Sequence, residues 1–210
     1  MHTLDHLLWE AWNLSEEERR FYELTGVSPV VGGQHPDSGT HNSLLSLGTG
    51  VYLELIAPDH AHPKFALAEP PDGFRPKLAA YALRTQDVNA TRRSVEKAGL
   101  TPEVHAVSRV SPEGQLSWRT VLVQGHDFGN LVPFITQCDE MIHPSETSPK
   151  GCELRAFSVG HPDAESLTRL FGALQIDVPV LPADAPVIRA VLSTPAGRVV
   201  LDSVEGLVTR

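Results

Sequence analysis

Gly39-Thr40-His41-Asn42-Ser43-Leu44-Leu45-Ser46-Leu47-Gly48-Thr49-Gly50-Val51-Tyr52-Leu53-Glu54-Leu55-Ile56 is the stretch that decides the fold. It holds two β-like runs, Asn42 to Leu47 and Val51 to Ile56, around Gly48-Thr49-Gly50. Glycines at that joint give a tight hairpin, because they reach turn conformations without a side-chain penalty. Toward the N-terminus, Pro29 to Gly39 is punctuated by glycine and proline and reads as irregular. Ahead of it, Glu16 to Leu24 has a helical pattern, and Ser15 with Glu18 has the spacing of a capping box. Gly26 follows, where a left-handed residue closes the last turn. Leu4 to Trp9 is an apolar run with His6 inside it, a short opening strand.

That order of strand, helix and hairpin strands recurs. Leu78 to Leu83 reads as a strand, and Asp87 to Ala98 as a helix closed by Gly99. Val104 to Ser108 and Ser117 to Val123 are β-like runs around the turn Ser111-Pro112-Glu113-Gly114, and Leu131 to Ile135 supplies the last strand. A third, shorter unit has Leu154 to Val159, a helix near Asp163 to Leu174, and strands near Val187 to Ser193 and Arg198 to Leu201. Two connectors separate the units: Pro58 to Lys77, and His143 to Gly151, a polar segment with two prolines that reads as a linker. The fold class is therefore α+β, built from repeated βαβββ units. Residues 1–144 form a paired domain, and 152–210 form a third βαββ(β) unit packed on it. A doubly wound parallel sheet does not fit, because hairpin strands follow each helix. Gly32-Gly33 is not a GxGxxG, so no dinucleotide loop is implied.

The chain's 210 residues suffice to bury about 70% of the unfolded surface without a disulfide or structural metal. With 41% hydrophobic residues, the composition is that of an ordinary globular protein. The net charge of -9, with no Lys/Arg-rich run, argues against nucleic acid as a partner. Cys138 and Cys152 lie in no metal-ligand spacing and read as thiols of a reducing compartment. No run approaches the roughly 20 apolar residues of a membrane span, and Asp5 and Glu10 interrupt the N-terminus. The expectation is a cytoplasmic protein without a membrane partner.

Leu4-Asp5-His6-Leu7 resembles the opening strand of the vicinal oxygen chelate (glyoxalase/bleomycin resistance/dioxygenase) superfamily. The Thr40-His41-Asn42 stretch before Tyr52-Leu53-Glu54-Leu55 is similar to its glyoxalase-like domain. The resemblance covers roughly residues 4 to 144, and more weakly the third unit. It implies paired units curled into a cup, with metal ligands on the first and last strands of each. In this chain the first unit would offer His6 and Glu54. The second departs from the pattern: aligning Gly50 with Gly129 sets Pro133 against Glu54, and the strand matching His6 holds Ala79, Ala80 and Tyr81. Cups of this superfamily are often completed by a second chain. A homodimer would do so here, and the third unit is the other way to complete it.

Each candidate residue has two readings. His6 is either a hydrogen-bonded core histidine or a metal ligand. Glu54 either faces solvent or faces the cup, where it would serve as ligand or general base. His41 is either a turn histidine or the third ligand, completing with His6 and Glu54 a two-histidine, one-carboxylate set for Fe, Mn, Ni or Zn. Arg84 and Arg109 are either surface ion-pair members or carboxylate- or phosphate-binding groups at the cup's mouth. Trp118 either packs in the core or stacks on a substrate. Three functions follow: a metal-dependent lyase, isomerase or dioxygenase on a small oxygenated substrate; a metal-free small-molecule binding or sequestration protein; or an interaction module with a vestigial cup.

Overall fold

The computed structural model describes residues 2–66, 68–111, 114–137 and 142–209. Cys138 and the centre of the Ser111–Gly114 turn lie outside them. The first unit comprises β1 (Thr3–Glu10), α1 (Leu14–Thr25), β2 (Val30–His35), β3 (Thr40–Ser46) and β4 (Tyr52–Pro58). α1 starts two residues earlier than its capping-box spacing predicts. Asn13 is the N-cap, its Oδ1 accepting the Glu16 N–H at 3.2 Å, and Glu18 instead accepts the Ser43 hydroxyl across the sheet. Gly26 closes the helix at φ 76°, as expected, with its N–H on the Tyr22 carbonyl. The irregular reading of Pro29 to Gly39 is corrected by β2. Its glycines are packing devices rather than turn residues: a Cβ on Gly32 would sit 2.3 Å from Asn42 Oδ1.

The second unit repeats the order with β5 (Lys77–Arg84), α2 (Val88–Lys97), β6 (Thr101–Ser111), β7 (Gly114–Gln124) and β8 (Phe134–Gln137). A 3-10 turn at Gly129–Leu131 occupies the start of the predicted last strand. The two units close an eight-stranded barrel in the order β1-β4-β3-β2-β6-β7-β8-β5. In each unit the last strand lies parallel to the first, β4 on β1 and β8 on β5. The halves are joined unequally. β1 and β5 pair antiparallel from Thr3 to Glu10, whereas β2 and β6 pair, among the described residues, at Gln34 opposite Val110.

The segment read as a linker contains a short helix, α3 (Pro144–Thr147), whose Ser145 carbonyl accepts the Ser46 hydroxyl. The third unit follows: β9 (Glu153–His161), α4 (Ala164–Leu174), β10 (Val180–Pro182), β11 (Val187–Thr194), β12 (Gly197–Asp202) and β13 (Gly206–Thr209). It keeps the strand-helix-strand order but forms a separate sheet, β10-β9-β11-β12-β13. There β10 lies directly beside β9, unlike β2, which is separated from β1 by β4 and β3.

Strand alternation explains where the core sits. Leu53 and Leu55 of β4, and Leu7 and Trp9 of β1, point outward against α1, where Phe21 is buried edge-on to Trp9. Tyr81 of β5 packs edge-on against Phe157 of the third sheet, at 4.8 Å between centroids. Outer barrel faces, helices and third sheet form one continuous hydrophobic cluster. Cys152 belongs to it. Burial pushes its thiol up to about 11, against a hydrogen bond with Thr25 that works the other way, so it stays protonated and unreactive at neutral pH. No helix among the described residues is long and apolar enough to cross a membrane. The inner faces of the barrel strands are left free to line a cavity.

Candidate functional site

The barrel encloses a cavity of about 350 Å³. Glu54 lies on its inner face, between Tyr52 and Ile56 in the pleat. His6 lines the cavity as well, stacked on Tyr52 at 4.7 Å with Phe134 edge-on at 5.5 Å. Asp5 is adjacent in sequence, so strict alternation would turn it away. The β1–β5 register instead skips it, pairing Leu4 with Leu83 and His6 with Ala82. Asp5 is thus the extra residue of a β-bulge, which turns its carboxylate into the same cavity.

The consequence is a chain of buried polar groups. Asp5 Oδ1 lies 2.7 Å from His6 Nδ1, and His6 Nε2 faces Glu54 Oε2 at 3.5 Å. Glu54 Oε1 accepts the Asn42 side-chain amide at 2.6 Å, and His35 Nε2 stands 3.8 Å from the same oxygen. Asp5 Oδ2 is 3.3 Å from His143 Nε2 and 3.7 Å from Arg84 Nε. Burial by itself would raise the Asp5 pKa. The hydrogen bonds from His143 and His6, with the charges of both imidazoles, outweigh it and hold the carboxyl well below the usual carboxylate range. With His6 Nδ1 turned to Asp5, the other ring nitrogen, Nε2, faces Glu54. Burial pushes His35 below the ordinary histidine value. The Glu54 charge opposes that shift, while Arg109 and His41 reinforce it.

Of the residues singled out from sequence, His6, Glu54, Arg84, Arg109 and Trp118 line the cavity together. Trp118 stands edge-on to His35 at 6.3 Å. His41 does not join them. It sits on the outer face of β3 with Ser43, whose hydroxyl reaches α1, while Thr40 and Asn42 point inward. Its expected place beside Glu54 is taken by His35. His143 comes from the segment read as a linker. The second-unit alignment also shifts, because the 3-10 turn adds residues ahead of β8. β8 begins at Phe134 beside Ala82 as β4 begins at Tyr52 beside His6. Thr136, and not Pro133, therefore takes the place equivalent to Glu54.

A model of the glyoxalase-like domain matches residues 4–174. The chain belongs to the glyoxalase-like domain family. Among solved structures, a hypothetical protein from Staphylococcus aureus matches this glyoxalase-like chain with a TM-score of 0.65 and 15% identity, over 90% of this chain and 81% of that one. A methylmalonyl-CoA epimerase variant from Streptomyces coelicolor in complex with 2-nitronate-propionyl-CoA matches with a TM-score of 0.50 and 14% identity, over 69% of this chain and 100% of that one. At these identities the likenesses show the fold. No curated protein sequence matches the chain.

The second half of the glyoxalase-like cup lacks the donors for the divalent metal that the resemblance implies. Among the described residues, no three His, Cys, Asp or Glu side chains are grouped to hold an ion. Ala82 and Thr136 stand where the second half would supply donors, and Asn42 already occupies one Glu54 oxygen. Elemental mass spectrometry on protein purified without chelators is therefore expected to find only substoichiometric Fe, Mn, Ni or Zn. Near-stoichiometric metal that both His6→Ala and Glu54→Gln remove would overturn this. Among the described residues, the cup is lined by the first two units together with His143 and Pro144 of the segment that follows them, and by none of the third unit.

Proposed function

We propose that this glyoxalase-like protein binds a small oxygenated molecule in the barrel and moves a proton on it, as a lyase or isomerase would. The alignment Asp5–His6–Glu54 on the cavity wall is the observation that carries this reading. Glu54 is the base: one oxygen is held by Asn42, and the other faces His6 and the cavity. His6 is its partner. Ionised Asp5 fixes its tautomer and balances the imidazolium formed when Nε2 takes a proton. Dioxygenase chemistry needs a redox metal, and the donor set supports it least.

Binding without turnover is the second reading, and the loss of donors at Ala82 and Thr136 favours it. Glu54→Gln separates the two. Small 2-oxo and 2-hydroxy acids incubated with the protein in D2O are expected to exchange a carbon-bound proton, the one on C3 of the oxo acid or on C2 of the hydroxy acid, followed by proton NMR. The substitution should slow that exchange by roughly 10²–10⁴-fold with little change in affinity. If no ligand of the panel exchanges on the wild type while binding persists, the protein is a binder.

A further inference from the structure

Two arginines line the cavity, in different circumstances. Arg84 has a counter-ion in Asp5. Arg109 is 8% exposed, yet its buried Nε has no hydrogen-bond partner, and no carboxylate among the described residues pairs with it. A buried cation without a counter-charge is costly, and a folded chain tolerates it best where an anion arrives from outside. Its stem is held in place: a Cβ on Gly33 would lie 2.9 Å from Arg109 Cγ and 2.3 Å from the Val110 carbonyl, so only glycine lets the strands approach this closely. His35 lies between the two ends of the site, 3.8 Å from Glu54 and within the field of Arg109.

We propose that Arg109 anchors the carboxylate of a small monocarboxylate ligand whose apolar body lies against Trp118, Leu122 and Phe134. This rests on the reading of the barrel as a ligand cup and names the ligand's class. The planar guanidinium matches a carboxylate in bidentate fashion. The Glu54 carboxylate in the same cavity disfavours a second negative charge, which selects a monoanion over a phosphate dianion. The three apolar side chains share the cavity wall with Arg109. About 350 Å³ is at the lower end of small-molecule sites.

The test is isothermal titration of wild type, Arg109→Gln and Arg109→Lys with phenylpropionate, its primary amide and phenyl phosphate. Wild type should bind the acid at least about tenfold tighter than the amide, and phenyl phosphate more weakly than the acid. Arg109→Gln should bind acid and amide alike, with the amide affinity unchanged, and Arg109→Lys should keep part of the preference. Equal binding of acid and amide by wild type, no binding of either, preference for the phosphate, or acid preference persisting in Arg109→Gln each overturns the proposal. Without ligand, Arg109→Gln should melt no lower than wild type. A large fall would mark Arg109 as structural and also overturn it. Acid-selective binding that depends on Arg109, without proton exchange, would keep the anchor and remove the proton-transfer reading. Exchange on neutral carbonyl compounds that ignores Arg109 would do the reverse.

Discussion

Trp9→Ala is expected to destabilise the protein by about 3–5 kcal/mol, the usual cost of truncating a fully buried tryptophan. Trp9 is wholly buried, its indole N–H donates to Glu17 Oε2 at 2.8 Å, and its ring meets Phe21 edge-on at 5.4 Å. Truncation opens a void between β1 and α1 and takes from the buried Glu17 one of its two partners; Arg20, 3.3 Å away, remains. For a chain of this size the melting temperature should fall by roughly 10 °C, read by circular dichroism. Trp9→Phe should lose less. A fall of less than about 3 °C for the alanine variant would show that the β1–α1 contact contributes little.

Asp5→Asn is the second large effect, on chemistry more than on folding. The asparagine keeps the shape but replaces an ionised acceptor, so His6 loses the group that fixes its proton on Nδ1. Proton exchange on a bound ligand should slow on the order of 10³-fold, as when the orienting carboxylate of an acid–base histidine is lost. The same substitution should change acid stability. Because the folded Asp5 pKa is depressed, its contribution is fully present above the unfolded value and is lost as pH falls below about 4 toward the folded value. The wild type should therefore lose stability on acidification more steeply than Asp5→Asn below that pH. Parallel acid-denaturation curves would show that the carboxylate is not held by His6 and His143.

The paired βαβββ units were legible because their alternation and helix-closing glycines are local signals. Glu54 and His6 stood out through the Tyr-Leu-Glu-Leu strand and the Leu-Asp-His opening. The rest of the site depends on features that a pattern of period two cannot express. Asp5 enters the cavity only because a bulge breaks that period. His35 was hidden by Gly32-Gly33, which look like loop punctuation but make room for Asn42 and Arg109. His41 and Asn42 are neighbours on one strand, and the sequence does not say which of the two faces inward. His143 comes from a polar, proline-bearing segment whose contact with Asp5 spans almost the whole barrel domain in sequence.

The unequal joints of the barrel would give a ligand of the proposed class a mechanical role. Along β1 and β5 the halves share a long, bulged ladder, whereas among the described residues β2 and β6 pair at Gln34 and Val110. Arg109 is next to Val110 on one side of that narrow joint, and Glu54 and Asn42 belong to the half on the other side. The barrel is built like a clasp with a firm hinge and a light catch. A molecule gripped by Arg109 at one end and met by Glu54 at the other would fasten the catch from within, so occupancy and closure of the ring become one event.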